Sequence, residues 1–527
     1  MIFCSPHKSV TIPDTSLAEY VLQRAHEFGE KPALIDGSSG RTITYKELAV
    51  TIPKLAAGFA SHGFGKGDVL AIYSPNSPEY ALAFHAAAML GAATTMIPPL
   101  FTEPEVETQL RDSAASCLLT IPQLFDRANQ AAQGSKVRKI FVIGEAAGAV
   151  PFSSMLEHDG PPPEIEINPR SDLVALPYSS GTTGLPKGVM LTHYNLVSML
   201  CQLHASEALT EKDTMVCVVP MYHLYGLHVV VNLGLSLGAT IVILPRYDLG
   251  QFLRTLERYG VTVAPLVPPL VMELSRVPGL NQYDLSKLRL IYCGAAPLAA
   301  EVAQACSERL TCPIRFGYGL TEVSPLSHSS LPSLPDEQGS VGYCLPNTEC
   351  KIVDYVSGAE LGPNQSGEIW VRGPQVMKGY LGNNDATAQM VRKDGWLRTG
   401  DIGYAGEDGK LFVVDRLKEL IKYKGRQVAP AELEAVLLSH PAIADAGVIP
   451  SPDEDAGEVP KAFIVLKAAA TMDEIMEFVS ARVAPHKRIR LVEFVSEIPK
   501  SPAGKILRRV LVQRERAARS TPAADRD

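Results

Sequence analysis

The sequence has no closely spaced cysteine pair: its nine cysteines are scattered and no C-x-x-C motif occurs. The shortest spacings, Cys306 to Cys312 and Cys344 to Cys350, have no neighbouring histidine in the sequence that would complete a zinc-binding pattern. A disulfide framework and a structural zinc site are therefore not expected. We interpret the cysteines as reduced thiols that act as small buried hydrophobic residues, which is typical of a cytoplasmic protein.

Targeting and membrane-spanning patterns are missing as well. The N-terminal segment MIFCSPHKSVTIPD has no long apolar core, and the C-terminal STPAADRD is not an SKL-type address. No uninterrupted apolar run reaches the ~18 residues of a membrane span. The net charge of −8 argues against nucleic acid or an anionic membrane as the main partner. We expect a cytoplasmic protein that neither binds nucleic acid nor inserts into a membrane, with its oligomeric state left open.

The chain is long enough for at least two domains, because 527 residues exceed the ~250–300 at which a single core stops growing. From about residue 40 to 330, apolar runs alternate with helical patterns, which predicts α/β layers with mostly parallel sheets. The predicted strands are VLAIYS (69–74), CLLTI (117–121), KIFVIG (139–144), VALPYSS (174–180), MVCVVP (215–220), ATIVILP (239–245), VTVAPLV (261–267) and RLIYCG (289–294). Helices are predicted over 250–260 and 298–310.

The pattern changes after about residue 335. Residues 339–414 carry many glycines and short alternating segments, which predicts a small β section. Beyond it, two amphipathic helices and two strand-like runs indicate a small α+β domain; they are helix 428–441, strand 461–467, helix 471–483 and strand 492–499. We place the boundary near Asp415, which gives a large domain of residues 1–414 and a small domain of residues 415–527.

The strongest local motif is YSSGTTGLPKGV (178–189), which follows a predicted strand. Hydroxyl groups, bare backbone amides and the cation of Lys187 together indicate a phosphate-binding loop. It is not a Walker loop, since Lys187 is followed by Gly188 rather than by serine or threonine. The alternative is a flexible surface loop, although the buried patterns on both sides favour a binding site.

A second motif, FGYGLTE (316–322), also follows a strand-like run. It does not fit the dinucleotide fingerprint G-x-G-x-x-G, and taken alone its glycines are equally typical of an ordinary turn. The hydroxyl of Thr321 beside the carboxylate of Glu322 suits phosphate together with Mg²⁺, which prefers oxygen ligands.

Two further segments carry candidate groups. In the first, TGDIGYAGEDGKLFVVDRLKELIKYKGRQVAPAELE (399–434), Asp401 sits in a glycine-bounded turn where it could accept hydrogen bonds from a ribose diol. The basic residues that follow could equally form a solvated loop. In the second, EIPKSPAGKILRR (497–509), Lys505 lies on a loop, where a lysine is more often exposed without a function.

In their order and text, these motifs resemble the adenylate-forming superfamily of acyl-CoA synthetases, adenylation domains and luciferases. The resemblance covers nearly the whole chain, from ITYKELA (43–49) and KGDVLAIYSPNSPEY (66–80) to SPAGKILRR. Within it, PMYHLYGL (220–227), GAAPL (294–298) and KYKGRQVAPAELE (422–434) look most like 4-coumarate–CoA ligases and their bacterial cinnamate–CoA relatives.

The resemblance implies a two-step acid–thiol ligase that uses ATP, Mg²⁺ and coenzyme A. A carboxylic acid and ATP would form an acyl-adenylate and pyrophosphate, and coenzyme A would then take the acyl group and release AMP. It implies ATP or AMP contacts at Ser179, Ser180, Gly181, Thr182, Thr183, Lys187, Gly317, Thr321, Asp401, Arg416, Gln427 and Lys505. Among these, Lys505 and Thr183 would act in catalysis together with His223 and Glu322, and Glu322 would hold the metal ion.

The remaining implied contacts belong to the acyl group and to coenzyme A. Acyl contacts are implied for His223, Tyr225, Ala295, Gly317, Lys418 and Lys422, and coenzyme A contacts for Arg246, Lys424 and Gly425. The small domain would swing about a hinge near Asp415 between the two half-reactions. Two residues depart from the family pattern: Phe316 replaces the usual glutamine before GYG, and Arg426 replaces an aromatic residue.

An aromatic acid of the cinnamate or 4-coumarate type is the favoured substrate. The apolar run after Tyr225, Leu227-His228-Val229-Val230-Val231, offers no evident partner for a para-hydroxyl group, which favours cinnamate or a medium-chain fatty acid over a strictly preferred hydroxylated ring. The alternatives are a medium- or long-chain fatty-acyl-CoA synthetase and an adenylation enzyme that loads a carrier protein. A nucleotide-binding regulatory protein and a luciferase-type oxygenase are the more distant possibilities.

Overall fold

The computed structural model of the chain describes residues 1–158, 160–179, 186–205, 209–330, 334, 337–424, 426–453, 455–501 and 504–520. Two nine-stranded sheets, a smaller five-stranded sheet and a separate C-terminal sheet of five strands form the framework. Each of the two large sheets has a parallel core. The first sheet has one antiparallel edge and the second has two. Parallel strands need helical cover on both faces, and that requirement explains why the strands read as continuous apolar runs.

The first large sheet carries the strand that precedes the predicted phosphate loop. Its strands, in spatial order, are Tyr178–Ser179, Lys187–Thr192, Leu173–Ala175, Ala93–Ile97, Val69–Tyr73, Cys117–Thr120, Lys139–Val142 and Val150–Pro151, with Gly379–Tyr380 paired to Lys187–Thr192. All five residues of Val69–Tyr73 and of Ala93–Ile97 are buried, as expected for central strands.

The second large sheet carries the FGYG motif at the end of a strand. Its strands, in spatial order, are Tyr343–Cys344, His328–Ser329, Ile314–Tyr318, Leu290–Cys293, Val263–Leu266, Thr214–Cys217, Thr240–Ile243, Pro32–Asp36 and Thr42–Thr44. One hydrophobic core contains residues from both large sheets, among them Ile72, Leu119, Ile241 and Leu290, so the two sheets form one packed unit.

Helices cover these sheets. The helix Pro78–Met89 starts after a serine cap with a proline, both of which favour helix initiation. It has ten buried residues, because its sequence is apolar on all sides. The helices of the large domain are Leu17–Leu22, Ala25–Phe28, Tyr45–Ser61, Pro78–Met89, Glu103–Asp112, Phe125–Ala132, His193–His204, Leu233–Leu237, Leu249–Arg258, Pro268–Arg276, Ala300–Leu310 and Asn384–Met390. A π-helix, Tyr225–Asn232, follows the PMYH motif.

The third sheet corresponds to the glycine-rich β section. Its strands are Phe3–Cys4, Glu349–Val353, Gly367–Arg372, Leu397–Ala405 and Leu411–Arg416. Asp415 lies in the last of these strands, opposite Ile402, and its Oδ2 accepts a hydrogen bond from the amide of Ala431 at 2.8 Å. This carboxylate therefore caps the first turn of the next helix, Pro430–Leu438.

The C-terminal part has its own sheet and its own core. The strands are Arg426–Val428, Ile421–Tyr423, Gly457–Leu466 and Ile443–Asp453, with Leu491–Phe494 paired to Gly457–Leu466. The helices are Pro430–Leu438, Met472–Ser480 and Arg508–Ser520. Residues such as Ile421, Leu433, Val448 and Ile475 pack into one hydrophobic cluster.

The predicted fold class, a large domain of layered mostly parallel sheets with a β section and a small α+β domain, is confirmed. The predicted strand VALPYSS is two strands that both pair with Lys187–Thr192. The pairing is interrupted at Leu176, whose amide donates to Thr94 instead, and at Pro177, which has no amide hydrogen. Sequence reasoning missed Phe3–Cys4, Ala93–Ile97 and Ile443–Asp453. Within the described part of the chain, no helix is both long and apolar enough to cross a membrane.

Several buried histidines should destabilise the folded protein at low pH. Burial lowers the pKa of five imidazoles to about 4 or below; they are His85, His193, His204, His223 and His228. His193 shows why these rings must stay neutral: its Nδ1 accepts a hydrogen bond from the amide of Leu17 at 3.0 Å. A proton on Nδ1 would remove that acceptor.

We therefore predict acid destabilisation well above the range of carboxylate titration. The unfolded chain binds protons on these histidines near pH 6.5 and the folded chain does not, so stability is lost as pH falls from about 6.5 to about 4. The urea midpoint should fall markedly between pH 7.5 and pH 5. The replacement His193→Gln keeps an acceptor for the amide of Leu17. It should reduce the dependence of the free energy of unfolding on pH by ~1.4 kcal/mol per pH unit. A midpoint that does not change over this range would contradict the prediction.

Candidate active site

Four segments that are distant in the sequence meet at one place. Glu322 lies on a short 3₁₀ turn, Thr321–Val323, just beyond the strand Ile314–Tyr318. Its Oε1 accepts hydrogen bonds from Ser179 Oγ and from Tyr380 Oη, both at 2.8 Å. The first and second sequence motifs are thus joined directly. Ser180, Gly181, Thr182 and Thr183, which the sequence predicts as phosphate contacts, lie outside the described residues.

Two lysines lie near Tyr380, the tyrosine that donates to this carboxylate. Lys187 begins the strand Lys187–Thr192, and its Nζ is 5.0 Å from the centre of the Tyr380 ring. The pKa of Lys418 is lowered by partial burial and by repulsion from Lys187. Lys418, predicted as an acyl contact, therefore lies within electrostatic range of Lys187.

Asp401 lies within the strand Leu397–Ala405, so its predicted place in a glycine-bounded turn is wrong. Two partners hold its side chain in a fixed orientation. Its Oδ2 accepts a hydrogen bond from Tyr318 Oη at 2.8 Å, and its Oδ1 lies 3.2 Å from Nε of Arg416 on the neighbouring strand. Burial raises the pKa of Asp401, and the Arg416 guanidinium opposes this shift. The second and third sequence motifs therefore also meet, through Tyr318.

Lys505 reaches the same place from the C-terminal part. Its backbone amide donates to Ser501 Oγ at 3.2 Å, and a side chain on the preceding Gly504 would come within 2.7 Å of Pro269 in the large domain. The Lys505 side chain remains accessible, yet partial desolvation, and then repulsion from Arg416, lower its pKa. Asp401, Glu322 and Glu419 oppose that shift, so they all lie within electrostatic range of Lys505.

His223 lies close to this lysine. Burial lowers its pKa to about 4, and the charge of Lys505 contributes to the shift, so His223 is neutral near pH 7. Its ring packs against Tyr222, with 4.8 Å between ring centres. His223 and Lys505, which are predicted from separate motifs, are therefore brought together.

A second group of predicted residues forms one wall beside His223. Tyr225 Oη donates to the backbone oxygen of Tyr292 at 2.9 Å, which fixes its ring at the end of the strand Leu290–Cys293. The ring lies 3.9 Å from the position of a Cβ on Gly294, as does the carbonyl oxygen of Gly317. Ala295 follows with a positive φ of 75°, so the chain turns sharply at this wall.

The remaining predicted contacts are Lys422 for the acyl group, Gln427 for AMP, and Arg246, Lys424 and Gly425 for coenzyme A. Lys422 and Lys424 are exposed and make backbone contacts with Glu458 and with Ala456 of the small domain. Gly425 and the side chain of Gln427 lie outside the described part of the chain. Arg246, on the large domain, is exposed.

The two departures from the family pattern differ in setting. Phe316 is half-buried in the strand Ile314–Tyr318 and packs against a hydrophobic cluster of the large domain. Arg426 is exposed on the small domain.

Sequence reasoning missed two site residues. Tyr318 was seen only as the middle of a glycine turn, and Tyr380 was not singled out at all. Both are buried donors to a carboxylate. The segment KGYLG around Tyr380 offers a weak signal, since a tyrosine between glycines after a strand pattern is typical of a close-packed turn.

Residues 21–381 match the profile of a family described as AMP-binding enzyme, and residues 432–505 match that of the AMP-binding enzyme C-terminal domain. The chain is 44% identical over 526 residues to 4-coumarate–CoA ligase 2 of Nicotiana tabacum, with 97% of this chain and 96% of the relative covered. It is 42% identical over 539 residues to 4-coumarate–CoA ligase 5 of Oryza sativa subsp. japonica, with 99% and 98% covered.

Solved structures show the same architecture. ATP-bound MatB from Rhodopseudomonas palustris has a TM-score of 0.88 at 26% identity, with 95% of this chain and 99% of that chain covered. The anthranilate CoA ligase AuaEII in complex with anthranoyl-AMP has a TM-score of 0.89 at 26% identity, with 97% and 99% covered. MenE of Bacillus subtilis, an o-succinylbenzoate CoA synthetase in complex with its acyl-adenylate, has a TM-score of 0.82 at 30% identity, with 95% and 98% covered.

We predict that the turn carrying Thr321 and Glu322 tolerates no side chain at Gly319. A Cβ there would lie 2.0 Å from the carbonyl oxygen of Pro325, whereas a Cβ on Gly294 would have 3.9 Å to its nearest neighbours. Replacement Gly319→Ala should displace the turn and weaken ATP binding about tenfold, equivalent to ~1.4 kcal/mol.

Gly294→Ala is the matched control and should bind ATP as the wild type does. Dissociation constants from calorimetric titration without any acid present would decide. Equal affinities of the two variants would contradict the assignment of this turn to the nucleotide site.

Proposed function

The chain belongs to the family of AMP-binding enzymes, and we propose that it is an AMP-forming acid–thiol ligase that converts a carboxylic acid, ATP and coenzyme A into an acyl-CoA, AMP and pyrophosphate. The observation that carries the proposal is the meeting of Glu322, Asp401, Arg416 and Lys505 at one site. Its relatives named 4-coumarate–CoA ligases, 42–44% identical over nearly the whole chain, support the same reaction.

The first half-reaction joins two anions, so its barrier is largely electrostatic. An oxygen of the substrate carboxylate attacks the α-phosphorus of ATP, the bond to the bridging oxygen breaks, and pyrophosphate leaves with the electron pair. Lys187, Lys418 and the predicted loop 179–187 would neutralise the phosphates, while Lys505 would bridge the carboxylate and the α-phosphate. Each such group is typically worth ~10²–10³ in rate. Thr321 would contact the α-phosphate.

Asp401 and His223 would contact two further parts of the ligands, the ribose of ATP and the reacting carboxylate. Asp401, oriented by Tyr318 and Arg416, would accept hydrogen bonds from the ribose hydroxyls. The neutral His223 beside Lys505 would gate the reacting carboxylate without adding a second positive charge at the lysine.

Magnesium fits the site through Glu322. Within the described residues, no group of three or more histidine, cysteine or acidic side chains could hold a metal ion alone. Mg²⁺, however, usually binds one or two carboxylates together with substrate phosphates and water, and Glu322 Oε1 is already bonded while Oε2 is the remaining oxygen. Bound there, the ion would neutralise phosphate charge.

The second half-reaction would use another orientation of the small domain. In it the sulfur of coenzyme A attacks the acyl carbon, the bond to AMP breaks, and the thiol proton passes to solvent. Rotation near Asp415 would withdraw Lys505 and bring the exposed Lys422, together with Gln427, to the acyl-adenylate. Lys424, Gly425 and Arg246 would contact coenzyme A. A hinge of this kind commonly lies at the end of an element, and Asp415 lies one residue from the end of its strand.

We propose an aromatic acid of the cinnamate or 4-coumarate type as the substrate. The names of the curated relatives support it, and so does the wall formed by Tyr225, Gly294, Ala295 and Gly317, which suits a flat ring. Val229 and Val230 on the π-helix offer no hydrogen bond to a para-hydroxyl group. We place the enzyme in the cytoplasm, a proposal supported by its nine cysteines, none of which forms a disulfide.

Product analysis tests this function. The purified protein should release AMP and pyrophosphate only when an acid is present, and should form a thioester only when coenzyme A is added. Cinnamate and 4-coumarate should turn over faster than benzoate or C6–C16 fatty acids. A protein that forms acyl-AMP but no acyl-CoA would contradict the proposal and would indicate the loading of a carrier protein.

We predict that Lys505→Ala separates the two half-reactions. Adenylation should slow by about 10²–10³, because the bridging charge is lost, while supplied acyl-AMP and coenzyme A should still give thioester at nearly the wild-type rate. Lys467→Ala, which removes an exposed lysine of the same domain, is the control. An equal loss in both half-reactions would contradict the division of labour between two orientations.

A further inference from the structure

The hydroxyl group of Tyr380 lies at the centre of the site without a role in the scheme above. We propose that Tyr380 is a positioning residue: it fixes the carboxylate of Glu322 so that Oε2 faces the bound Mg²⁺–ATP, and it links that carboxylate to Lys187. The inference deepens the proposed function and rests on it.

Tyr380 is placed rigidly by its own surroundings. Only 3% of its surface is exposed, its backbone amide donates to Thr387 Oγ1 at 2.9 Å, and its strand pairs with the strand that ends the phosphate loop, with Val189 opposite Tyr380. The neighbouring amide of Leu381 donates to the carbonyl oxygen of Gly188 at 2.9 Å. A side chain anchored on both sides in this way holds its hydroxyl at a defined point.

The single proton of this hydroxyl goes to Glu322. Oη lies 2.8 Å from Glu322 Oε1 and 3.2 Å from Met390 Sδ. A carboxylate oxygen is a far stronger acceptor than a thioether sulfur, so the carboxylate receives the hydrogen bond. Burial, and then the charge of Glu322, raise the pKa of Tyr380 well above its ordinary value, so the hydroxyl remains a donor at physiological pH.

The two hydrogen bonds to Oε1 of Glu322 also determine where its second carboxylate oxygen, Oε2, points. Ser179 Oγ and Tyr380 Oη both donate to Oε1, which fixes the plane of the carboxylate. Among the described residues, Oε2 has no hydrogen-bond partner, although Lys505 and Arg416 lie within electrostatic range of this carboxylate. Orientation of a ligating carboxylate by such outer contacts typically contributes 10–100-fold to metal affinity.

The aromatic ring of Tyr380 adds a second link. The ammonium group of Lys187 lies 5.0 Å from the ring centre, within the range of a cation–π interaction. Tyr380 therefore contacts a cation for the phosphates with its ring and an anion for the metal with its hydroxyl. Replacement of Tyr380 by phenylalanine removes the hydroxyl contact with Glu322 and leaves the ring contact with Lys187.

The test measures ATP binding by calorimetry in the absence of acid, so that no turnover occurs, as a function of Mg²⁺ concentration. In Tyr380→Phe, the Mg²⁺ concentration that gives half of the maximal ATP affinity should rise by about 10-fold or more. Conversion of supplied acyl-AMP and coenzyme A to thioester should be unchanged. Tyr45→Phe, which removes a buried hydroxyl bonded to the carbonyl oxygen of Ala239, is the matched control and should keep the wild-type Mg²⁺ dependence.

A double-mutant cycle separates positioning from loss of fold. If Tyr380 acts through Glu322, Tyr380→Phe should have no further effect on Mg²⁺ dependence in a Glu322→Gln background. The same further loss in both backgrounds would overturn the inference, and so would a wild-type Mg²⁺ dependence in Tyr380→Phe. A wild-type protein that fails to bind Mg²⁺–ATP would instead overturn the proposed function, whatever Tyr380 does.

Discussion

The site depends on one electrostatic constraint: a triphosphate and a carboxylate, both negative, must approach within bonding distance. In the proposed scheme the protein meets it with four cations, and the carboxylates of Glu322 and Asp401 lie within electrostatic range of Lys505. The cations are Lys187, Arg416, Lys418 and Lys505. Cations left alone at such density would repel one another. Burial, and then repulsion from a neighbouring cation, lower the pKa of Lys418 and of Lys505. The ligand's negative charge would relieve that repulsion, so the site is organised for an anion.

This constraint explains the two-part fold. Three of the four segments that meet at the site belong to the sheets of the large domain. Ser179 and Lys187 lie at strand ends, Glu322 lies just beyond a strand, and Asp401 lies within the strand Leu397–Ala405. The fourth, with Lys505, belongs to the small domain and touches the large one where Gly504 packs on Pro269. A lysine carried by a separate domain can be withdrawn once the acyl-adenylate has formed, which a lysine in the rigid sheet could not be. In the proposed scheme, the placement of one charge thus links domain motion to the order of the two half-reactions.

Much of the fold and of the candidate site could be predicted from the sequence, since buried parallel strands are recognisable as apolar runs. VLAIYS and CLLTI became adjacent strands, and the four motifs were recognisable because phosphate binding demands glycine, hydroxyl and lysine residues in close succession. Tyr380 could not be predicted in this way. Its role depends on the pairing of the two-residue strand Gly379–Tyr380 with the distant strand Lys187–Thr192. Short pairings of this kind leave almost no periodicity in the sequence. The strand Phe3–Cys4 was missed for the same reason. The proximity of His223 to Lys505 arises from domain contact, which local patterns do not encode.

The most direct measurement is a crystal structure of the protein with a non-hydrolysable ATP analogue and Mg²⁺. We expect the ribose on Asp401, the metal ion on Glu322 Oε2, and the α-phosphate within ~3 Å of Lys505 Nζ, the distance of a charge-assisted hydrogen bond. An adenosine bound away from Asp401 and from the loop at 179–187 would contradict the account, because the converging charges would then have another purpose.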